Sequence, residues 1–186
     1  NLAINTGTGT DAVNFVGAIN FPNLVTIITD GAVTDNAADG VTDITALSLS
    51  ISAASIGASG NDLDLAVDSL TTNTSAVNGD QFLNEANGLT QVNLSAGSGD
   101  ITLKAGAITD ADVTTDFTAD ALTVTATSFG ASGNNIDTSV NSLSIDTSAS
   151  GGDQFIHEST GLSDLNLNAG SGDITLVDEG QISDTS

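Results

Sequence analysis

Ala96-Gly-Ser-Gly-Asp-Ile-Thr-Leu103 recurs unchanged as Ala169-Gly-Ser-Gly-Asp-Ile-Thr-Leu176. Two flanking stretches repeat at the same offset. Gly57-Ala-Ser-Gly-Asn61 returns as Gly130-Ala-Ser-Gly-Asn134, and Gly79-Asp-Gln-Phe82 as Gly152-Asp-Gln-Phe155. Aligned without gaps, residues 44–107 and 117–180 agree at 34 of 64 positions. A shorter echo, Gly31-Ala-Val-Thr-Asp35 against Gly106-Ala-Ile-Thr-Asp110, extends the pattern towards the start. The chain divides into a partial, divergent repeat (1–43), a repeat (44–116) and a third, truncated copy (117–186).

Each unit is itself periodic. Apolar/polar alternation begins at Leu122, Leu143 and Leu165 in nearly equal steps, and at Val92, a longer step before Leu122. This reads as three turns of roughly 24 residues per unit, each with two or three short strands between Ser-Gly-Asn, Gly-Gly-Asp and Ser-Gly-Asp turns. Leu122, Val124, Leu165, Leu167, Ile174 and Leu176 are the expected inward ladders; Thr123, Thr125, Asn166, Asn168 and Thr175 the outward ones. The six Phe residues are expected at interior corners, with Phe82 and Phe155 equivalent. The expected fold is all-β: one continuous right-handed parallel β-helix, or β-solenoid, spanning residues 1–186. At ~4.8 Å per turn, about eight turns make a rod roughly 40 Å long. Tandem Ca-linked β-sandwiches are the alternative, but the repeat unit is short for such a domain and the sub-period has no place in one.

Composition narrows the functions. One Lys, no Arg and 24 acids give a net charge of −23. Nucleic acid is excluded as a partner, since phosphate neutralisation needs Lys and Arg. No apolar run reaches the ~18 residues of a spanning helix, and membrane insertion is not expected. Without Cys there is neither disulfide nor thiolate chemistry. The chain begins in mid-pattern, as a mature fragment or an excerpt of something longer would.

Catalysis is not expected. Asp62 with Asp64, or Asp110 with Asp112, offers paired carboxylates. Yet Trp and Tyr, the usual sugar platforms, are absent, and turn Asp residues ordinarily cap backbone N–H groups. His157, the only His, is expected at the surface beside Glu158. Calcium has more support. Gly57-Ala-Ser-Gly-Asn-Asp-Leu-Asp64 loosely matches the Gly-Gly-x-Gly-x-Asp roll, and stacked acidic turns with one Lys call for counter-ions. Asp62, Asp64, Asp100 and Asp173 are the candidate Ca²⁺ ligands.

The stretches Leu165-Asn-Leu-Asn-Ala-Gly-Ser-Gly-Asp-Ile-Thr-Leu176, Gly106-Ala-Ile-Thr-Asp110 and Leu122-Thr-Val-Thr-Ala-Thr-Ser128 resemble repeats of very large secreted bacterial surface proteins. These are the filamentous-haemagglutinin-like and "beta strand repeat" proteins, and the resemblance covers most of residues 31–186. It implies a right-handed parallel β-helix, a place at the bacterial cell surface, and a role as adhesin stalk, filament or matrix component. No catalytic motif is implied. The near absence of Lys and Arg departs from better-known members. A structural rod segment is therefore expected, with an extracellular binding module (Ca-dependent, or a carbohydrate- or ice-binding face) as the rival. Its expected partner is itself, end to end: Asn1-Leu-Ala-Ile-Asn5 opens as a strand, and Gln181-Ile-Ser-Asp184 matches the internal Ala107-Ile-Thr-Asp110.

Overall fold

The computed structural model describes residues 1–36 and 40–183; Asp184, the end of the Gln181–Asp184 match, lies outside them. Among the described residues there is no helix, hence none long and apolar enough to cross a membrane. All paired strands run parallel and form a β-solenoid of about eight turns.

The strands form two ladders, to which a turn gives one strand each or, where a loop interrupts it, two short ones such as Ser55–Ile56 and Leu63–Ala66. Phe117–Thr125 and Ile136–Asp146 run through a corner and serve both. The first runs Leu2, Val25, Leu49, Leu70, Val92, then from Leu94 through Phe117, Thr138 and Glu158 to Asp178. The second runs Val13, Val33, Ile56, Gln81, Ile101, Leu122, Leu143, Leu165. The physical cause is the period-2 pattern. In Ser48–Ser52 and Ser69–Asn73 every second side chain turns inward, and stacking buries Val25, Ile27, Leu49, Ile51, Leu70, Val92 and Leu94 in one core. Burial of each such side chain is worth about 1.5–3 kcal/mol, offset against the entropy of ordering the chain. Phe117 and Phe129 meet inside it, ring centroids 5.9 Å apart.

The repeat and the turn are not commensurate. Leu49 lies in the first ladder, whereas Leu122, its equivalent, lies in the second. Leu83 pairs Leu63 and Leu103 in the second ladder; its equivalent Ile156 pairs Ile136 and Leu176 in the first. One repeat thus spans three and a half turns, correcting the expectation of about three. The reason is that registers within the repeat step more tightly than expected: Leu70 stacks on Val92, Gln81 on Ile101, Leu94 on Phe117 and Ile101 on Leu122. The long interval from Val92 to Leu122 is a turn and a half.

Two further expectations are corrected. Phe82 and Phe155 face outward, half-buried, while their neighbours Gln81 and Gln154 are fully buried. The outer Phe positions lie against Gly57 and Gly130 of the preceding turn, where an added Cβ would fall 3.1 Å from the Phe Cβ. The inner Gln carries a corner. Gln81 donates through Nε2 to the Ser95 carbonyl at 3.0 Å and to Thr74 Oγ1 at 3.1 Å, and accepts from Thr72 Oγ1 at 2.5 Å. A phenyl ring cannot satisfy those groups. Ile174, expected inside, is 44% exposed, because its strand borders the first ladder and pairs only with Gln154–Glu158.

The shared turn chemistry explains the repeated glycines. Gly97 and Gly170 adopt φ of +66° and +63°, the left-handed region open to Gly. Gly79 and Gly152 leave no room for a side chain: a Cβ would lie 1.7 Å from the Ala54 carbonyl oxygen and 1.8 Å from that of Thr127. The outward register is irregular. Thr123 and Thr125 stack on Ser144 and Asp146, then on Asn166 and Asn168, so no flat hydroxyl array of the ice-binding kind forms there.

Candidate functional site: paired acidic clefts

Long loops leave the ladders at equivalent places in the two repeats. Gly57–Asp62 separates Ser55–Ile56 from Leu63–Ala66, and both strands pair with Gln81–Glu85. Gly130–Asn135 separates Ser128–Phe129 from Ile136–Asp146, and both pair with Gln154–Glu158. Each loop is closed by a reciprocal backbone pair, Ala58 with Asn61 and Ala131 with Asn134. One turn earlier a second loop rejoins its strand at Asp43, and equivalently at Asp116. These carboxylates accept the backbone N–H of the residue stacked above: Asp64 N to Asp43 Oδ2 at 3.1 Å, and Asp137 N to Asp116 Oδ2 at 2.8 Å.

A cleft opens at each place, one on each ladder because of the half turn. The first, of about 180 Å³, holds Asp62, Asp64, Asn84 and Lys104. The second, of about 430 Å³, holds Asp112, Asn135, Asp137 and His157. In the first, Asn84 Nδ2 donates to Asp64 Oδ1 at 2.5 Å, and Lys104 Nζ pairs with Asp62 Oδ2 at 2.6 Å. In the second, His157 takes the place of Asn84. Its Nδ1 lies 2.5 Å from Asp137 Oδ1 and its Nε2 3.1 Å from Glu179 Oε1. The hydrogen bond to Asp137, more than that to Glu179, raises the His157 pKa above its ordinary value. His157 is therefore at the surface as expected, but its partners are Asp137 and Glu179. Glu158 points inward and is buried, accepting from the Val140 and Thr160 N–H groups and the Thr138 hydroxyl.

Two acidic clusters lie at the loop bases, with carboxylate oxygens mutually within 4.8 Å: Asp35 with Asp43 and Asp64, and Asp110 with Asp112 and Asp116. In the second cluster, Asp110 Oδ2 accepts from Val92 N at 2.9 Å and Oδ1 from Asp112 N at 2.9 Å. The exposed Asp112 accepts from the Thr114 N–H and hydroxyl at 2.7 and 2.6 Å, bonds that lower its pKa. Asp116 is only 2% exposed, and its Oδ1 is buried with no hydrogen-bond partner. Burial above all, then the charges of Asp110, Asp137 and Asp112, push its pKa up to about 7. Such a cluster can share a proton or hold a hard cation.

The four ligands expected from the sequence do not assemble. Asp64 joins the first cluster. Asp62 is taken by Lys104. Asp100 and Asp173 belong to corner turns, where their N–H groups donate to Asp80 Oδ1 at 3.0 Å and Asp153 Oδ1 at 2.8 Å. They stack on the acid one turn below and do not reach either cluster. The acids that the structure brings together and that were not among those candidates are Asp35, Asp43, Asp110, Asp112 and Asp116. The available signal was the equivalence of Asp43-Ile-Thr-Ala46 and Asp116-Phe-Thr-Ala119, an acid held fixed where a variable loop re-enters a strand.

No family model, no curated protein and no solved structure matches this chain.

Proposed function

We propose that the chain is a structural segment of an extracellular bacterial rod, a filament or adhesin stalk. The observation that supports this reading best is the pair of ladders running through one core over about eight turns. The strands bordering the ladders, such as Leu2–Asn5 and Ile174–Asp178, each pair with a single neighbour. Their outer edges hold the backbone donors and acceptors that a further turn of the same kind needs. The outer faces and turns carry much of the −23 charge, which opposes sideways packing; axial stacking meets the same charge but gains the backbone hydrogen bonds and apolar ladder contacts that sideways packing lacks. In this role length comes from repetition, and stability is close to a sum over nearest-neighbour turns. The surface location rests on the resemblance of the turn sequences to those of secreted bacterial repeats.

Electron microscopy and light scattering at rising protein concentration test the proposal. The expected result is end-to-end particles in multiples of roughly 40 Å. Monomers of a single length at every concentration overturn it.

A further inference from the structure

We propose that Asp110, Asp112 and Asp116 form a binding site for a hard divalent cation, Ca²⁺ in the first place, that staples the base of the 109–116 loop. The inference is independent of the rod reading.

Three oxygens from three carboxylates lie within 4.8 Å of one another. Proximity alone is common among acids; what singles out this cluster is Asp116 Oδ1. It is buried and unpartnered, on a residue only 2% exposed. Buried polar atoms are satisfied in folded proteins with few exceptions, and an orphaned carboxylate oxygen among other carboxylates asks for a cation. The protein supplies none. Its single Lys is committed to Asp62 in the other cleft, and His157 is engaged by Asp137 and Glu179.

The remaining geometry suits a hard ion. Val92 N, Asp112 N and Thr114 N–H and Oγ1–H hold the Asp110 and Asp112 carboxylates in place, and each carboxylate keeps lone pairs for a ligand. Asp137 N does the same for Asp116 through Oδ2. Asp112 is exposed and borders the 430 Å³ cleft, which gives an ion entry and gives waters room to complete the six to eight oxygen ligands of Ca²⁺. Asp110 follows the strand Ala107–Ile108 and Asp116 precedes Phe117, so one ion ties both ends of the loop to the ladder.

The test is calorimetric titration of the whole chain with CaCl₂ after EDTA treatment and dialysis, in enough NaCl to screen diffuse charge, with thermal unfolding in parallel. The expected result is saturable binding with a Kd of about 10⁻⁴ M, as suits a site with only three protein carboxylates, and a midpoint that rises with Ca²⁺. Asp116→Asn should lose one ion per chain. Asp112→Asn, at an exposed position that leaves the core intact, should weaken that site about tenfold or more. Asp164→Asn, an exposed acid elsewhere, should change nothing. Binding unaffected by Asp112→Asn, or a midpoint that NaCl raises as well as Ca²⁺ does without saturable heat, overturns the proposal. The cluster then holds a proton and the acids are screened only diffusely.

Discussion

Residues 44–107 and 117–180 share more than half their sequence, yet equivalent residues of the two sit on opposite ladders. The interior tolerates the exchange because both ladders demand the same thing: a β-branched or Leu residue at every second position and a polar corner. Glu85 and Glu158 are equivalent, buried, and each accepts backbone N–H groups, from Val67 and Asn87 in one case and Val140 and Thr160 in the other. The clefts do not obey that constraint. Asp62, Asn84 and Lys104 of the first become Asn135, His157 and Val177 of the second. Packing holds the frame, and the two sides of the rod are free to differ in what they carry.

The sharpest way to break this equivalence is at the glycines where turns touch. Gly79→Ala and Gly152→Ala each drive a methyl group into a backbone carbonyl of the corner one turn below, that of Ala54 or Thr127. Each should cost on the order of 4 kcal/mol or more, among the largest single-residue effects. Denaturant unfolding of both variants checks it; one severe and one mild effect would mean that the two halves are not built alike.

A smaller difference separates the buried Gln corners. Gln81 Oε1 accepts from Thr72, but Ile145 stands at the equivalent place in the second repeat and Gln154 Oε1 is left buried without a partner. Thr72→Val should therefore cost about 1–2 kcal/mol by orphaning a second oxygen. Ile145→Thr should stay within about 1 kcal/mol of the parent, the new hydrogen bond offsetting lost apolar burial. Equal losses in urea unfolding would show that the orphaned oxygen carries no cost.

Much of the fold was legible because period-2 alternation and recurring turns report backbone geometry directly. Leu122, Val124 and the Thr123–Ser144–Asn166 register were readable in this way. The half turn was not, since it depends on whether one repeat holds three periods or three and a half. That is set by how much chain each corner consumes, from the single Asp120 to the long loop before Asp116. Nor was Gln inside and Phe outside, because hydrophobicity ranks Phe first and does not count the unpaired carbonyls of a corner. The first cluster was hidden for a related reason, since Asp64 meets Asp35 and Asp43 only through stacking; the second lies within one short loop, where nothing in the sequence tells which of its acids turn inward.

The second cleft should also respond to pH where the first does not. His157 has a raised pKa in the folded chain, chiefly through Asp137. Its contribution is therefore fully present below the ordinary value near 6.5 and is lost as pH rises through the folded value. His157→Asn imports the solution of the first repeat, where Asn84 donates to Asp64 without titrating. Between pH 6 and pH 8 the parent should lose up to about 1 kcal/mol relative to this variant. Parallel stability profiles across that range would remove His157 from any account of pH response.

The smallest effect belongs to the one strong cation. Lys104 Nζ sits 2.6 Å from Asp62 Oδ2, with 57% of the Lys side chain exposed. Such an exposed pair is worth about 0–1 kcal/mol, since water already solvates both charges and the long side chain must be held still. Lys104→Val gives the first repeat the residue of the second, Val177, at a position where a β-branched side chain suits the strand. The two terms oppose, and stability at physiological salt should change by less than about 0.5 kcal/mol. At low salt the loss should grow, because an unscreened chain of charge −23 holds its only Lys more tightly. Thermal unfolding of parent and variant at two ionic strengths checks both parts. A large loss that ignores salt would mean that Lys104 acts through packing, and that the two clefts differ in structure as well as in charge.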